Sequence, residues 1–493
     1  MSFLVLDCGT SACKAAVVAD DGKILSWDRR PVRIEQQGPL CAEMDPDRLW
    51  AVVQAAARAA LRAAPAAGRK VMAVGVSALL GYVFLDWRAQ PLGPAVIWMD
   101  NRAGSEAEEI KRRIPEEVSY ARTGRRVSPE LLAPKLMWFS RRRPGMARRI
   151  RSVIGLKDEM VRRLTGVIQT DVAHMDYSLL FNIREGSLDR DISAELGIDP
   201  GWFPEPRMAS DVIGSLTPEA GRRLGLSAGL PVVSGSSDGT TAMYGGGVIE
   251  EGVAVLVAGT TEVLMTASSH VVEDADRVLT VNTGMVPGVY LIGGAMGLAG
   301  GALQRLERLL SVKVRSFQGK IQRLTPGSEG LLVFPGFTGE RSPYWMEYVT
   351  GGVAGLTMKH RPEHVFRAAM EGTAFRVRRL MELLRAAGLS PAKIHITGGY
   401  ADLGVWNRIR AHVLGVDVLR PKTVEATSLG TAMFCRAGLD GPGTLKDLAA
   451  RWVLIGRRYR PDAELTRDYE VQGRLFDEYI RSTAAIYSRL SRT

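Results

Sequence analysis

Two distant segments of this sequence repeat one short pattern: an apolar strand, a turn of small residues and a second apolar strand. The first copy runs through residues 3–19 with Gly9-Thr10-Ser11 as its turn, and the second through residues 253–266 with Gly259-Thr260-Thr261. Self-similarity between distant segments is typical of a repeated architecture. We therefore predict two domains of like topology that face one another across a cleft.

The length of the chain supports this division. A chain of 493 residues is longer than one hydrophobic core usually holds, and 46% hydrophobic with 24% charged residues is ordinary for globular domains. Consecutive glycines at residues 245–247 favour a boundary there. The predicted domains are residues 1–247 and 248–493, with a helical tail after about residue 457 that can pack back on the first domain.

Strands and helices alternate in the first domain. Asp21-Gly22 is the pair best suited to a tight hairpin, so the chain opens with an antiparallel meander. Asp45 is placed to cap a helix that begins at Pro46, and apolar residues then recur at helical spacing over residues 49–61. Meander, helix and further strands predict an α/β fold in which helices cover a mixed sheet.

The net charge of +11 raises the question of a nucleic-acid partner. The densest basic run covers residues 141–151 and has no interleaved aromatic residues. Arginines without aromatic or base-reading partners are typical of a solvated surface. We therefore predict no nucleic-acid partner, while the positive potential would attract an anionic nucleotide.

The N-terminus and the cysteines bear on the compartment. Asp7 interrupts the first apolar segment, so the start lacks the features of a signal peptide, and no stretch approaches the length of a membrane span. The four cysteines, at positions 8, 13, 41 and 435, form neither a CxxC pair nor a metal-ligand spacing. Reduced thiols in a cytoplasmic protein without membrane partners are the expectation.

Both small-residue turns suit phosphate binding. Glycines let backbone N–H groups approach an anion, and hydroxyl groups add further donors. A plain hairpin is the alternative for each turn taken alone. The patterns GxxxxGK[ST] and GxGxxG do not occur in the sequence, so a bound nucleotide requires another architecture.

The motif Asp7-x-Gly9-Thr10-Ser11-x-x-Lys14 resembles the first phosphate motif of the FGGY carbohydrate kinases, members of the actin-like ATPase superfamily with two ribonuclease-H-like domains. Gly351 to Leu356 and, seven residues later, His364 to Glu371 resemble the C-terminal signature of that family. Further matches follow in the family's order: Trp98-Met99-Asp100-Asn101-Arg102, Ala133 to Trp138, Thr170-Asp171, Ser237-Asp238, Gly339 to Pro343, Thr397-Gly398-Gly399 with Trp406, and Leu429-Gly430. The resemblance covers nearly the whole chain and leans toward the xylulokinase and gluconokinase branches.

The resemblance implies transfer of a phosphoryl group from ATP to a sugar hydroxyl, with a sugar-binding first domain and a nucleotide-binding second domain. Asp238 would be the general base, and Asp7 would hold Mg²⁺ through water. The residues implied for the nucleotide are Gly9, Thr10, Ser11, Lys14, Gly259, Thr260, Thr261, Gly300, Gly398 and Gly399. Those implied for the acceptor are Leu79, Leu80, Trp98, Asp100 and Asp238.

Each role has a plainer alternative. Asp7 and Asp238 could cap turns, and Lys14 could be a solvated charge. Related ketose kinases carry a polar Gln-Met-His-Gly type of cluster where this chain has residues 78–81, Ala-Leu-Leu-Gly, and a Ser or Asn where it has Leu403. Apolar side chains cannot bind hydroxyl groups, so either other loops recognise the acceptor, or the acceptor has an apolar or deoxy end, or the two leucines belong to the core.

The acceptor is the least constrained part of this prediction. A ketopentose such as D-xylulose is the first expectation, and gluconate, another polyol or a deoxy-ketose are alternatives. A non-catalytic, nucleotide-dependent scaffold with the same fold is the alternative from another class. The sequence leaves open whether the chain forms a homodimer.

Overall fold

A computed structural model describes residues 1–36 and 38–490. Its strands are β1 Ser2–Cys8, β2 Ala12–Ala19, β3 Ile24–Pro31, β4 Glu43–Met44, β5 Val71–Ala78, β6 Gly81–Leu85, β7 Ala95–Ile97, β8 Ser152–Gly155, β9 Thr170–Asp171, β10 Phe181–Asn182, β11 Ser187–Leu188, β12 Pro206–Arg207, β13 Val212–Ser215, β14 Pro231–Ser237, β15 Val253–Ala258, β16 Thr261–Ser268, β17 Thr280–Thr283, β18 Tyr290–Leu298, β19 Leu332–Phe334, β20 Gly352–Ala354, β21 Lys393–Thr397, β22 Asp417–Pro421 and β23 Ile455–Tyr459.

The helices are α1 Pro46–Ala63, α2 Gly104–Arg113, α3 Glu116–Thr123, α4 Leu132–Arg142, α5 Pro144–Ala147, α6 Leu156–Thr165, α7 Val172–Asp176, α8 Arg190–Leu196, α9 Pro218–Leu224, α10 Asp238–Gly245, α11 Gly300–Leu310, α12 Gln318–Arg323, α13 Pro362–Ala386, α14 Gly404–Leu414, α15 Ala426–Asp440, α16 Leu445–Trp452 and α17 Ala463–Leu490. The chain forms two compact units. The first contains Met1–Gly245, Val281–Tyr290 and Glu425–Val453, and the second contains Gly246–Thr280, Leu291–Val424 and the chain from Leu454 onward.

The first unit is built on a sheet with the strand order β13-β14-β5-β1-β2-β3. Strand β1 pairs antiparallel with β2 and parallel with β5, so the opening meander continues into a mixed sheet as predicted. A smaller sheet, β4-β7-β6-β8, which the sequence did not predict, lies in the same unit. Three of its strands, β4, β7 and β8, have only two to four residues, too few for an alternating pattern to be recognised.

Helix α1 begins as its sequence predicts. The Asp45 side chain accepts hydrogen bonds from the backbone N–H groups of Asp47 (2.8 Å) and Arg48 (3.3 Å), and Pro46 takes the first helical position. The apolar face, which includes Leu49 and Val53, is buried in the core of the first unit. At roughly 1.5–3 kcal/mol for each large apolar side chain, this burial attaches the helix to the sheet.

The second unit repeats the pairing of the first. Strand β15 pairs antiparallel with β16 and parallel with β21, just as β1 pairs with β2 and β5. The strands of this unit follow the order β18-β16-β15-β21-β22-β23. The similarity of the two turn segments in the sequence therefore reflects two sheets with the same local topology.

The segment Glu425–Val453 belongs to the first unit, whereas the sequence placed all of 248–493 in the second domain. Its helix α15 packs closely on α10, and small residues allow this approach. A Cβ atom at Gly430 would collide with the Thr241 carbonyl oxygen, and one at Gly245 with that of Ala426. The tail helix α17 packs on α13, α14 and β19, all of which belong to the second unit.

Candidate active site

The turn between β1 and β2 presents its small residues to solvent. Ser11 is exposed, Gly9 and Thr10 are half-buried, and the Gly9 N–H donates to the Ala12 carbonyl oxygen at 3.0 Å. Asp7 lies one residue before the end of β1, opposite Lys14 on β2, and only 8% of its surface is exposed. The turn thus leaves its hydroxyl groups free to meet a ligand while the carboxylate is enclosed beneath them.

Asp238 is the first residue of α10 and directly follows the buried strand β14. Its Oδ1 accepts a hydrogen bond from the Gly239 N–H at 2.7 Å, and its side chain is half-buried. Burial raises the pKa of Asp238, although the Gly239 N–H and the positive charge of His174 oppose this. A carboxylate with a raised pKa at the exposed end of a strand is typical of a proton acceptor.

Asp238 lies close enough to Asp7 for its charge to act on that carboxyl group. Burial and the negative charge of Asp238 together raise the pKa of Asp7 to about 7, although the positive charge of Lys14 opposes them. Two neighbouring carboxylates form a region of negative potential that a divalent cation would neutralise. The oxygen ligands present therefore fit Mg²⁺, which keeps several waters and needs few protein carboxylates.

Lys14 makes a contact that the sequence did not reveal. Its ammonium group forms an ion pair with Glu425 at 2.5 Å. Both side chains are partly exposed, so solvent screening keeps the pair weak. Lys14 therefore stays near Asp7, but with its charge already balanced by a carboxylate.

Besides Asp238, four residues are assigned to the acceptor, and these four occupy different environments. Leu79 belongs to the hydrophobic core, where it is 1% exposed, whereas Leu80 is half-buried. The Leu80 carbonyl oxygen accepts from the Trp98 N–H at 2.9 Å, which places Trp98 beside it. Among these four, Leu80 and Trp98 present surface near the end of β5.

Asp100 is fully buried and its oxygens are occupied within the protein. Its Oδ2 accepts from the Ala42 N–H (2.8 Å) and from the guanidinium group of Arg102 (2.6 Å), and its Oδ1 accepts from Arg102 as well (2.9 Å). This paired contact fixes the plane of the guanidinium group. Asp100 thus acts here by orienting Arg102, which also reaches Glu43 at 2.6 Å.

The second unit brings its candidate residues together at one end of its sheet. The Gly300 N–H donates to the Gly259 carbonyl oxygen at 3.1 Å, and the N–H groups of Ala299 and Gly301 donate to that of Thr260 at 2.9 and 3.0 Å. Helix α11 therefore begins directly on the turn between β15 and β16. Thr260 is exposed and Thr261 is half-buried, so their hydroxyl groups can reach a ligand.

Gly398 and Gly399 lie beside the same turn. Gly398 has φ of +89°, and a Cβ atom there would lie 2.7 Å from the Ala258 carbonyl oxygen. No heavy atom lies within 4 Å of a Cβ built on Gly399, which is exposed. The structure thus places the segments containing Thr260, Gly300 and Gly399 beside one another, with the Tyr400 ring packed on Gly300 and open space at Gly399.

Gly300→Ala should weaken nucleotide binding, because the new methyl group would lie 2.6 Å from the Gly259 carbonyl oxygen and collide with the Tyr400 ring. A shift of the turn of this kind should raise the Kd for ADP by about tenfold, roughly 1.4 kcal/mol. Titration calorimetry of the folded variant measures it. Gly319→Ala is the matched control, since no atom lies within 4 Å of its added Cβ; equal Kd values for the two variants would contradict the assignment.

A buried ionic cluster in the first unit was not recognised from the sequence. Lys157, Asp158, Asp171 and His174 are all fully buried, and the Lys157 ammonium group contacts both carboxylates. Oxygen and nitrogen atoms of Asp158, Asp171 and His174 lie close enough to hold a metal ion. The lysine already supplies the positive charge there, so the cluster is an internal ion network.

Asp176 is a second buried acid with a strongly shifted pKa. Its oxygens accept from the N–H (2.8 Å) and the hydroxyl (3.0 Å) of Thr283, but burial raises its pKa from 3.8 to about 7. The folded state therefore keeps a proton that the unfolded state releases, and stability falls as pH rises between these two values.

Asp176→Asn removes this titration. The free energy of unfolding of the variant, minus that of the parent, should increase from about pH 4 to about pH 7 and stay level above. Urea unfolding at half-unit pH steps measures the difference. A difference that does not change with pH would contradict a raised pKa at this position.

The comparison with known proteins agrees with this arrangement. Residues 2–245 match the N-terminal domain of the FGGY family of carbohydrate kinases, and residues 254–438 match its C-terminal domain. The chain therefore belongs to the FGGY family of carbohydrate kinases, enzymes that use ATP and transfer its phosphoryl group to an alcohol group. Its α/β fold with two sheet-containing domains is that of the actin-like ATPases, as predicted.

Three relatives illustrate the range of this similarity. The chain is 30% identical to a glycerol kinase of Aromatoleum aromaticum over 94% of this chain and 95% of that protein. It is 25% identical to a gluconokinase of Bacillus subtilis over 99% and 97% of the two chains. The crystal structure of xylulose kinase from Rhodospirillum rubrum matches with a TM-score of 0.90 and 26% identity, over 99% of this chain and 100% of the other.

Membrane association through a spanning helix has no support in the part of the chain that is described. Across residues 1–36 and 38–490, no helix combines the length and the apolar character that crossing a bilayer requires.

Proposed function

We propose that this kinase phosphorylates a hydroxyl group of a small sugar or sugar derivative, with Asp238 as the general base. The observation that carries the proposal is the position of Asp238, at the end of a buried strand, half-open to solvent and with a raised pKa. A carboxylate so placed can take the proton of an acceptor hydroxyl as its oxygen bonds to phosphorus.

Each unit has its own proposed anion-binding residues. In the second unit, Thr260, Thr261 and the backbone around Gly300, Gly398 and Gly399 would bind ATP, and in the first unit Gly9, Thr10 and Ser11 would bind phosphate. Lys14 would reach a phosphate only by leaving Glu425, so we assign it a secondary role. Asp7 would hold Mg²⁺ through water, and the ion would neutralise phosphate charge when bound.

The acceptor would bind in the first unit, near Leu80 and Trp98. Arg102, fixed by Asp100, adds a donor for hydroxyl or carboxylate groups. A ketopentose such as D-xylulose is our first choice, and gluconate, glycerol or another polyol, and a deoxy-ketose follow. The named relatives include glycerol, gluconate and xylulose kinases, and half-buried Leu80 favours an acceptor with few hydroxyl groups at one end.

A coupled assay of ADP release over a panel of ketoses, aldonates and polyols tests the proposal. One acceptor should raise ADP release well above the rate in buffer alone, and that increase should require Mg²⁺. Phosphorylated product, identified by mass spectrometry, separates transfer from ATP hydrolysis. A panel without any acceptor above hydrolysis would contradict the proposed substrate class.

The compartment is part of the same proposal. Cys8, Cys13, Cys41 and Cys435 are free thiols, of which all but Cys41 are buried. Free thiols suit a reducing compartment, so we propose that the enzyme works in the cytoplasm.

A further inference from the structure

The strand that carries Asp238 is irregular just before it. Residues 233 and 236 of β14 face residues 75 and 77 of β5, so β14 holds one extra residue. Gly235 lies in this bulge with φ of +66°, and a Cβ atom there would collide with the Val76 carbonyl oxygen. Bulges redirect the residues that follow them, and here the following residues lead directly to the proposed base.

A buried lysine holds this bulge. The Lys157 ammonium group donates to the Ser234 carbonyl oxygen at 2.8 Å and to its hydroxyl at 3.3 Å. The Ser236 hydroxyl donates to Asp171 at 3.4 Å, and Asp171 forms an ion pair with Lys157 at 3.1 Å. Two contacts from one ionic network thus fix the backbone within four residues of Asp238.

The network contains two acids and two bases with no exposed atoms. Asp158 and Asp171 are balanced by Lys157 and by His174, whose Nδ1 lies 2.6 Å from Asp171. Despite burial, the Asp171 charge raises the pKa of His174. A buried charge is tolerated only when it is paired, so these four side chains depend on one another for their positions.

We propose that this network positions the general base: Lys157 fixes the bulge of β14 that aims Asp238. Lys157 does not touch the reacting atoms in this proposal. The proposal rests on the proposed role of Asp238, and it goes further by naming what sets the geometry of that base.

Lys157→Met tests the positioning. A displaced base should lower kcat by about a hundredfold with little change in the KM of the acceptor, and Lys157→Arg should recover part of the loss because it keeps the charge and the donors. If Lys157→Met does not fold, Ser236→Ala removes only the hydroxyl contact and should lower kcat by a smaller factor.

The results separate this inference from the proposed function. An unchanged kcat in both Lys157→Met and Ser236→Ala would overturn the positioning role. An active Asp238→Asn would overturn the proposed function itself.

Discussion

Asp238→Asn should lose nearly all kinase turnover, by a factor of about 10²–10⁴ in kcat, the range that a positioned base contributes. The amide keeps the size of the side chain and can still accept the Gly239 N–H, but it cannot take a proton from a hydroxyl. The nucleotide contacts proposed for the second unit remain, so the Kd for ADP should stay within about twofold of the parent, well under 1 kcal/mol.

Steady-state kinetics and calorimetry on the same preparation measure these two quantities. Asp199→Asn is a suitable control, because Asp199 is an exposed cap that accepts from the Gly201 N–H and an asparagine can do the same. If kcat of Asp238→Asn stayed within about tenfold of the parent value, the assignment would be contradicted, because a general base contributes about a hundredfold or more. The parent should also lose kcat/KM as pH falls through the raised pKa of Asp238, since the protonated acid cannot serve as a base.

Local patterns were sufficient for much of the fold. The start of α1 was readable because its cap, its proline and its apolar face are neighbours in the chain. The two strand–turn–strand segments were readable for the same reason, and their similarity predicted the repeated topology of β1 and β15. The membership of Glu425–Val453 in the first unit was not readable, because it depends on the close approach of α10 and α15, which are far apart in the sequence.

Some residues of the candidate site could likewise be predicted from the sequence, and others could not. The turns around Thr10 and Thr260 were found because small and hydroxyl residues adjoin one another in the sequence. The network that surrounds Lys157 was missed, because its partner Ser234 is 77 residues away and buried charges leave no periodic signal. Asp100 was recognised as a motif residue, but its use in orienting Arg102 depends on the fold of the backbone at Ala42.

The largest expected effect on stability concerns Glu262, which directly follows the turn Gly259-Thr260-Thr261 in the second unit. Its carboxylate forms an ion pair with Arg410 of α14, and both side chains are fully buried. Glu262→Ala would leave the guanidinium charge buried against the Trp406 ring, 4.0 Å from its centroid, without a carboxylate to balance it. Removing one partner of a buried pair costs about 3–5 kcal/mol, so the denaturation midpoint should fall steeply.

A double replacement separates the unpaired charge from the loss of contacts. Glu262→Leu combined with Arg410→Met removes both charges and should recover most of the lost stability, because apolar residues of similar size can replace a buried pair at little cost. Glu219→Ala is the matched control, since its pair with Arg223 is exposed and should contribute no measurable stability. Equal destabilisation by Glu262→Ala and the double variant would mean that packing, rather than charge, holds α14 to β16.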